Sequence, residues 1–244
     1  MKKNKKLASI LWSLAYLAVF ISITASSCIL FHNNYYTLIF VEGTSMTPTL
    51  NKNGKIEFGI VDEHVTAVNN IKRFDIITTY YPIKYHSSSG YISDYCYINE
   101  KGQEVYTSYD DTEHEVVVSS DANFKIKRVI ALPGESFKVV ENGVQVRKLT
   151  EDNTWGEVTT YEFPFIHSAG SKTDDVFRTL KSDEYWILGD NWGGSIDSKA
   201  LDRPIKKGNI RGKLVAIEGT CQVKTTNGKI KITNKNYYLN FRYF

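Results

Sequence analysis

Cysteine, histidine and proline are scarce in this chain, with three, five and five residues among 244. Cys28, Cys96 and Cys221 lie far apart and form no CxxC or Cys/His spacing. A structural zinc or iron–sulfur site therefore has no support, and no metal or other cofactor is expected. A Cys96–Cys221 disulfide stays open in an oxidising compartment, with two separate thiols as the simpler reading. His32, His64, His86, His114 and His167 are scattered, and none sits in a recognisable triad context. A nucleophile in this chain needs another base. Charge of one sign is lacking too. The net charge is +3, but Lys2, Lys3, Lys5 and Lys6 crowd the first six residues, and without them 26 basic residues face 27 acidic ones. A balanced body of about 210 residues argues against a nucleic-acid partner and suits one β-rich domain or a core with an inserted subdomain.

Formal charge is also missing from Leu7 to Phe31, an apolar run diluted by Ser and Thr. About 20 apolar residues cross a bilayer as a helix, so this run suffices as a transmembrane anchor. The flanking lysines keep the N-terminus cytoplasmic and put everything after Phe31 outside. The division expected is a basic cytoplasmic N-terminus at 1–6, an anchor at 7–31 and an extracytoplasmic domain at 32–244. A cleaved secretory signal is the competing reading. Thr24-Ala25-Ser26-Ser27 offers small residues for cleavage, and Ser27-Cys28 suggests lipoprotein processing. The run exceeds the usual h-region of about 7–15 residues, which favours a retained anchor.

Beyond Asn33 the hydrophobic period is mainly two. Lys55–Ile60, Phe74–Tyr81, Tyr185–Leu188, Lys213–Ile217 and Cys221–Lys224 read as strands. Phe137–Val146 reads as a hairpin with Asn142-Gly143 supplying positive φ at its turn, and Asn227-Gly228 marks another. Pro82 to about Asn123 is polar and tyrosine-studded, an insertion between two motif-bearing strands. A second excursion covers 152–175. Tyr237–Phe244 is aromatic but too short and polar to span a bilayer, which suits a closing strand or a surface that dips into lipid. The fold expected is mostly β: one N-terminal transmembrane helix, then an antiparallel β-barrel or sheet domain with an insertion at about 82–123.

Ser45 lies about fourteen residues past the apolar run, which puts a nucleophile close to the membrane if the run is an anchor. A lysine serves as its base only when its amine is neutral, and burial among apolar groups lowers the amine pKa. Lys127 has such surroundings in Phe124, Ile126, Val129, Ile130 and Leu132. On a strand it faces away from Ile126 and Arg128, so one of the two basic neighbours can enter the interior.

Ser45-Met46-Thr47-Pro48-Thr49-Leu50, Phe74-Asp75-Ile76-Ile77, Lys127-Arg128-Val129-Ile130-Ala131-Leu132-Pro133-Gly134-Glu135 and Gly189-Asp190-Asn191 through Ser195-Ile196-Asp197-Ser198-Lys199 resemble, in this order, the boxes of bacterial type I signal peptidases. The resemblance implies a serine endopeptidase of the bacterial cell membrane, with Ser45 as nucleophile and Lys127 as general base. It implies that the Ser195 hydroxyl orients the Lys127 amine and that the backbone at Ser45 binds the oxyanion. Some members add a hydroxyl two residues before the nucleophile, where this chain has Gly43. Met46 is expected to line the pocket for the small residue before the cut. Asp190 with Arg128, and Asp197 with Lys199, are expected as structural ion pairs, with Lys199 in place of the usual Arg. Phe74 stands at a usual glycine position, and Trp192 replaces a common arginine.

The implied partners are preprotein signal peptides, the bilayer and the secretion machinery. An extended peptide with small residues at the first and third positions before the cut would bind by adding a strand to an exposed edge. The alternative is a non-catalytic relative that serves as an assembly factor or chaperone for surface-fibre (pilus) export. A self-cleaving repressor-type protease shares the serine–lysine chemistry, but it needs a DNA-binding module that this chain does not display.

Overall fold

The structure is a computed structural model. It describes the backbone of every residue except 1, 80–82, 88–89, 99–103, 108–112, 115–124 and 227–228, and the side chains of 12–27, 35–79, 125–224 and 232–244. Two compact units divide between Thr37 and Leu38.

The first unit is dominated by helix α1 (Lys2–Tyr35), 34 residues long and about 50 Å at 1.5 Å per residue. Trp12, Leu14, Leu17, Phe20 and Ile23 are all exposed on it. Apolar surface thus goes round the helix and is not confined to one stripe. The Thr24 hydroxyl donates back to the carbonyls of Phe20 and Ile21, at 2.9 and 3.0 Å. The expected transmembrane segment at 7–31 lies within α1. Among the described residues, which in α1 means the side chains of 12–27, no helix is long and apolar enough to cross a membrane.

The rest of the chain is mostly β. It opens with β1 (Tyr36–Val41), β2 (Ile56–Asp62), the short helix α2 (Val65–Asn69) and β3 (Ile76–Thr79). Next come β4 (Ile83–Ser87), β5 (Gly90–Ile98), β6 (Glu104–Thr107) and β7 (Glu113–His114). β8 (Lys125–Ala131), β9 (Glu135–Val140), β10 (Gly143–Lys148), β11 (Thr159–Glu162), β12 (Arg178–Thr179) and β13 (Glu184–Leu188) follow. Helix α3 (Ser198–Leu201), β14 (Ile205–Lys206), β15 (Ile210–Thr226) and β16 (Lys229–Tyr243) close the chain.

The main sheet runs β1-β2-β15-β3-β8-β13-β14, with β16 also paired to β15. The two strands expected at Lys213–Ile217 and Cys221–Lys224 are one strand, β15. It pairs antiparallel with β3, β2 and β16 along successive stretches. Bulges between Ile210 and Gly212, Leu214 and Ala216, and Ile217 and Gly219 let one long strand bend between these partners. β11-β10-β9-β12 form a second sheet. The expected insertion is a third, β4-β5-β6-β7, lying in sequence between β3 and β8. β3 and β8 still pair directly, with Ile77 opposite Lys127 and Thr79 opposite Lys125. The insertion therefore leaves and rejoins the main sheet without interrupting its ladder.

The hairpin expected at Phe137–Val146 forms as β9–β10, with Val140 opposite Gly143. Its turn is shifted one residue early, at Glu141-Asn142, and neither Asn142 nor Gly143 has positive φ. Gly143 is needed for another reason. A Cβ there would come within 2.4 Å of the Tyr161 carbonyl oxygen on β11. The closing strand expected at the C-terminus is β16, and the Asn227-Gly228 turn lies outside the described residues. So do the side chains of Cys28 and Cys96, while Cys221 is a buried free thiol.

Among the described residues, three apolar clusters fill the core. One packs β9 and β10 under Trp186, around Phe137, Val139 and Val144. Another lies under the Ser45 segment, with Met46, Leu50, Val61, Ile76 and Leu214. A third joins Ile77, Val129, Ile187 and Ile205. Ile76 and Ile77 enter different clusters because adjacent residues of β3 point to opposite faces.

Candidate active site

β8 is covered on both faces, so Ile126, Lys127 and Arg128 are all buried. The sequence suggested that one basic neighbour enters the interior. Both do, and they solve the problem of buried charge differently. Arg128 is paired: Nε and Nη2 donate to the two carboxylate oxygens of Asp190 at 2.9 and 2.6 Å. Its Nη1 donates to the carbonyl of Phe74 at 2.9 Å. This is the fork geometry that arginine provides and lysine lacks.

Lys127, 2 % exposed, has no such partner. Its Nζ donates to Ser45 Oγ and to its neighbour's carbonyl at Ile126, each at 2.9 Å. Burial lowers its pKa from 10.5 to about 8, partly opposed by Asp197 and Asp190 and assisted by Lys125 and Lys172. About a tenth of the amine is thus neutral at pH 7, rising to about half at pH 8. In the neutral form the same contact lets the hydroxyl proton pass to nitrogen.

Ser45 sits on the segment between β1 and β2. Its carbonyl accepts the N–H of Asn191 at 3.0 Å, and the Asn191 side chain donates to the carbonyl of Thr44 at 3.0 Å. The N–H of Ser45 has no hydrogen-bond partner among the described residues. It remains available to a developing oxyanion. Gly43 is exposed, with φ +85 and no heavy atom within 4 Å of a Cβ built on it. Its backbone conformation, not close packing, is what favours glycine there.

Ser195 does not orient the amine as expected. Its hydroxyl points to the carbonyl of Ile196 at 3.5 Å, and the Ile126 carbonyl occupies the orienting place on Lys127. Ser195 is nevertheless beside Ser45. A Cβ at Gly189 would lie 2.1 Å from Ser195 Oγ and 2.4 Å from the Ser45 carbonyl oxygen. Only glycine leaves room for these two serines to flank that backbone. Met46, expected in a substrate pocket, is 1 % exposed and packs in the core beneath Ser45. It supports the Ser45 segment from below.

The second expected ion pair has different partners. Asp197 pairs with Lys172 at 3.1 Å, and Lys199 pairs with Asp174 at 2.5 Å. Asp197 caps α3 by accepting the N–H of Ala200, and it also accepts the N–H of Gly189. Lys199 is two residues along the same short helix, and residues at that spacing point to different faces. Lys172 comes from the excursion at 152–175, and no sequence signal marked it.

The two departures at Phe74 and Trp192 meet in one aromatic cluster. Phe74 has φ +71, a left-handed conformation costing a non-glycine residue about 1–3 kcal/mol. Its ring meets Phe163 and Phe165 edge-on, each at 5.9 Å. Phe165 also lies 4.1 Å beneath the Arg128 guanidinium. Trp192 stacks on His167 at 3.7 Å and meets Phe163 edge-on at 5.9 Å. The cluster packs against the Arg128 guanidinium of the Arg128–Asp190 pair.

A family model described as signal peptidase, peptidase S26, matches residues 10–218. The chain belongs to the signal peptidase S26 family. Comparison with curated proteins gives no match. S26 membership supports a peptidase acting on signal-peptide-bearing substrates. The matched range contains Ser45, Lys127, Asp190 and Ser195, and it ends within β15.

Proposed function

We propose that this S26 protein is a membrane-anchored serine endopeptidase that removes N-terminal signal peptides, with Ser45 as nucleophile and Lys127 as general base. The observation that carries the reading is the 2.9 Å contact between Lys127 Nζ and Ser45 Oγ, made by an amine whose pKa is lowered to about 8. Ser45 Oγ attacks the scissile carbonyl carbon while its proton passes to Lys127. The oxyanion accepts the N–H of Ser45. Collapse breaks the peptide bond, the Lys127 proton goes to the leaving amine, and an acyl ester remains on Ser45. A water then gives a proton to Lys127 and attacks the ester; the ester bond breaks, the new C-terminus is freed, and the Lys127 proton returns to Ser45 Oγ. β1 is a terminal strand of the main sheet and leads towards Ser45, which suits a peptide bound by strand addition. The uncharged run at 7–31, flanked by lysines, supports the anchor and an extracytoplasmic site.

The test is cleavage of a synthetic preprotein in detergent by the wild type, Ser45→Ala and Lys127→Ala. Turnover by the wild type alone is expected. Binding without turnover in all three would replace this reading with the assembly-factor one, for which the aromatic cluster around Phe74 and Trp192 leaves room.

A further inference from the structure

Two side chains of the C-terminal strand reach the segment that carries Ser45. Tyr238 donates its hydroxyl to Glu57 Oε1 at 2.8 Å. Arg242 Nη2 lies 2.7 Å from the same oxygen, an ion contact out of line for a hydrogen bond. Arg242 Nη1 donates to the carbonyl of Thr49 at 2.8 Å. Glu57 is buried, and its Oε2 accepts the N–H of Asn51 at 2.8 Å, while Asn51 Oδ1 accepts the N–H of Glu57 at 2.9 Å. Asn51 Nδ2 then donates to the carbonyls of Val41 and Gly43, at 2.6 and 2.9 Å. The segment from 41 to 51 is therefore tied near its start, at Thr49 and at its end. Residues 238 and 242 lie beyond the stretch matched by the family.

We propose that β16 is a positioning element for the nucleophile: Tyr238 and Arg242 hold Glu57, and Glu57 through Asn51 holds the turn that presents Ser45 to Lys127. The inference rests on the peptidase reading above. Glu57 is a carboxylate with no lysine or arginine besides Arg242 paired to it among the described residues. Removing its donors from β16 leaves a buried carboxylate under-satisfied, so the turn it organises shifts to recover partners. Misplacing a reacting group by about 1 Å costs up to about 10²-fold in rate.

Point variants are preferable to removing β16, because truncation would unpair β15. The full chain is compared as wild type, Tyr238→Phe, Arg242→Met and the control Leu239→Ser, whose residue is fully exposed on the same strand. For Tyr238→Phe and Arg242→Met, kcat per folded molecule is expected to fall about 10- to 100-fold, with KM within about twofold and an unmoved acid limb of the pH profile. Amide hydrogen exchange of Thr47 and Leu50, the hydrogen-bonded amides within 43–50, should quicken by about tenfold or more in these two variants, while β13 stays unchanged. The control should match the wild type in both measurements. Unchanged exchange at 43–50, or an equal loss in the control, overturns the positioning role. Exchange needs no turnover, so a wild type that cleaves nothing while its variants loosen this segment sinks the peptidase reading alone.

Discussion

The hydroxyl and the amine at this site arrive by unlike routes. Lys127 stands on β8 inside the main sheet, with Ile77 opposite it on β3 and β13 on the other side. Its position follows from strand register, which hydrophobic patterning fixes strongly. Ser45 stands on a connecting segment with no ladder of its own, held by Asn191 and by the Asn51–Glu57 network. A base that must be buried to lose its proton benefits from a rigid strand. Ser45, which in the proposed reaction must meet substrate, is only half-buried, and its placement is left to side chains drawn from distant parts of the chain. The difference explains why one half of the site is robust in register and the other depends on particular polar residues.

Removing either half should have the largest effect. Ser45→Ala is expected to abolish turnover, and Lys127→Ala to reduce it by about 10²–10⁴-fold or more, measured on a preprotein at fixed enzyme concentration. Residual cleavage by Ser45→Ala near the wild-type rate would show that the hydroxyl is not the nucleophile. Next comes the support of β8. Asp190→Ala strands the Arg128 guanidinium in the interior and should cost about 3–5 kcal/mol in denaturant unfolding. A loss under about 1 kcal/mol would show that the pair is solvated.

The amine itself should be costly to the fold. Its pKa is lowered on folding to about 8, so between about 8 and 10.5 the unfolded chain binds the proton more fully and stability rises with pH. Below that window the folded protein carries a buried charge. Lys127→Met should therefore raise stability at pH 7 by about 1–3 kcal/mol while abolishing turnover, a separation that ordinary destabilisation does not produce. The wild-type rate should fall about tenfold per pH unit below about 8, because only the neutral amine accepts the Ser45 proton.

The finest contrast concerns the two lysines near Asp197. Lys172 neutralises Asp197, and its own charge also disfavours a proton on Lys127. Lys172→Met is expected to raise the Lys127 pKa and move the acid limb of the rate profile to higher pH. Lys199→Met should leave that limb in place and cost about 1 kcal/mol or less, since Asp174 keeps Arg178 at 3.1 Å. Equal shifts in both variants would restore Lys199 as the partner of Asp197.

The amine half of the site was legible in the sequence. Its apolar neighbours marked Lys127 as a lysine that burial could neutralise, and the ordered boxes matched Arg128 with Asp190. The nucleophile half was only partly legible. Ser45 was marked by its neighbours, but Asn51, Glu57, Tyr238 and Arg242 carry no spacing signal, because their contacts span up to 193 residues of sequence. Lys172 was hidden for the same reason, inside a loop without period. Lys199 misled because a box read as a string ignores the helical rotation that turns its side chain away from Asp197. The hairpin turn slipped by one because Asn-Gly has a second use, the close approach of a neighbouring strand.

The unbroken pairing of Thr79 with Lys125 has a further meaning. Two strands about 4.8 Å apart need only a few residues to connect them, yet this chain sends some forty out and back between them. The main sheet neither gains nor loses a rung by the detour. That junction is a natural port for grafted sequence, since an extra sheet inserted there leaves the rungs between β3 and β8 in place.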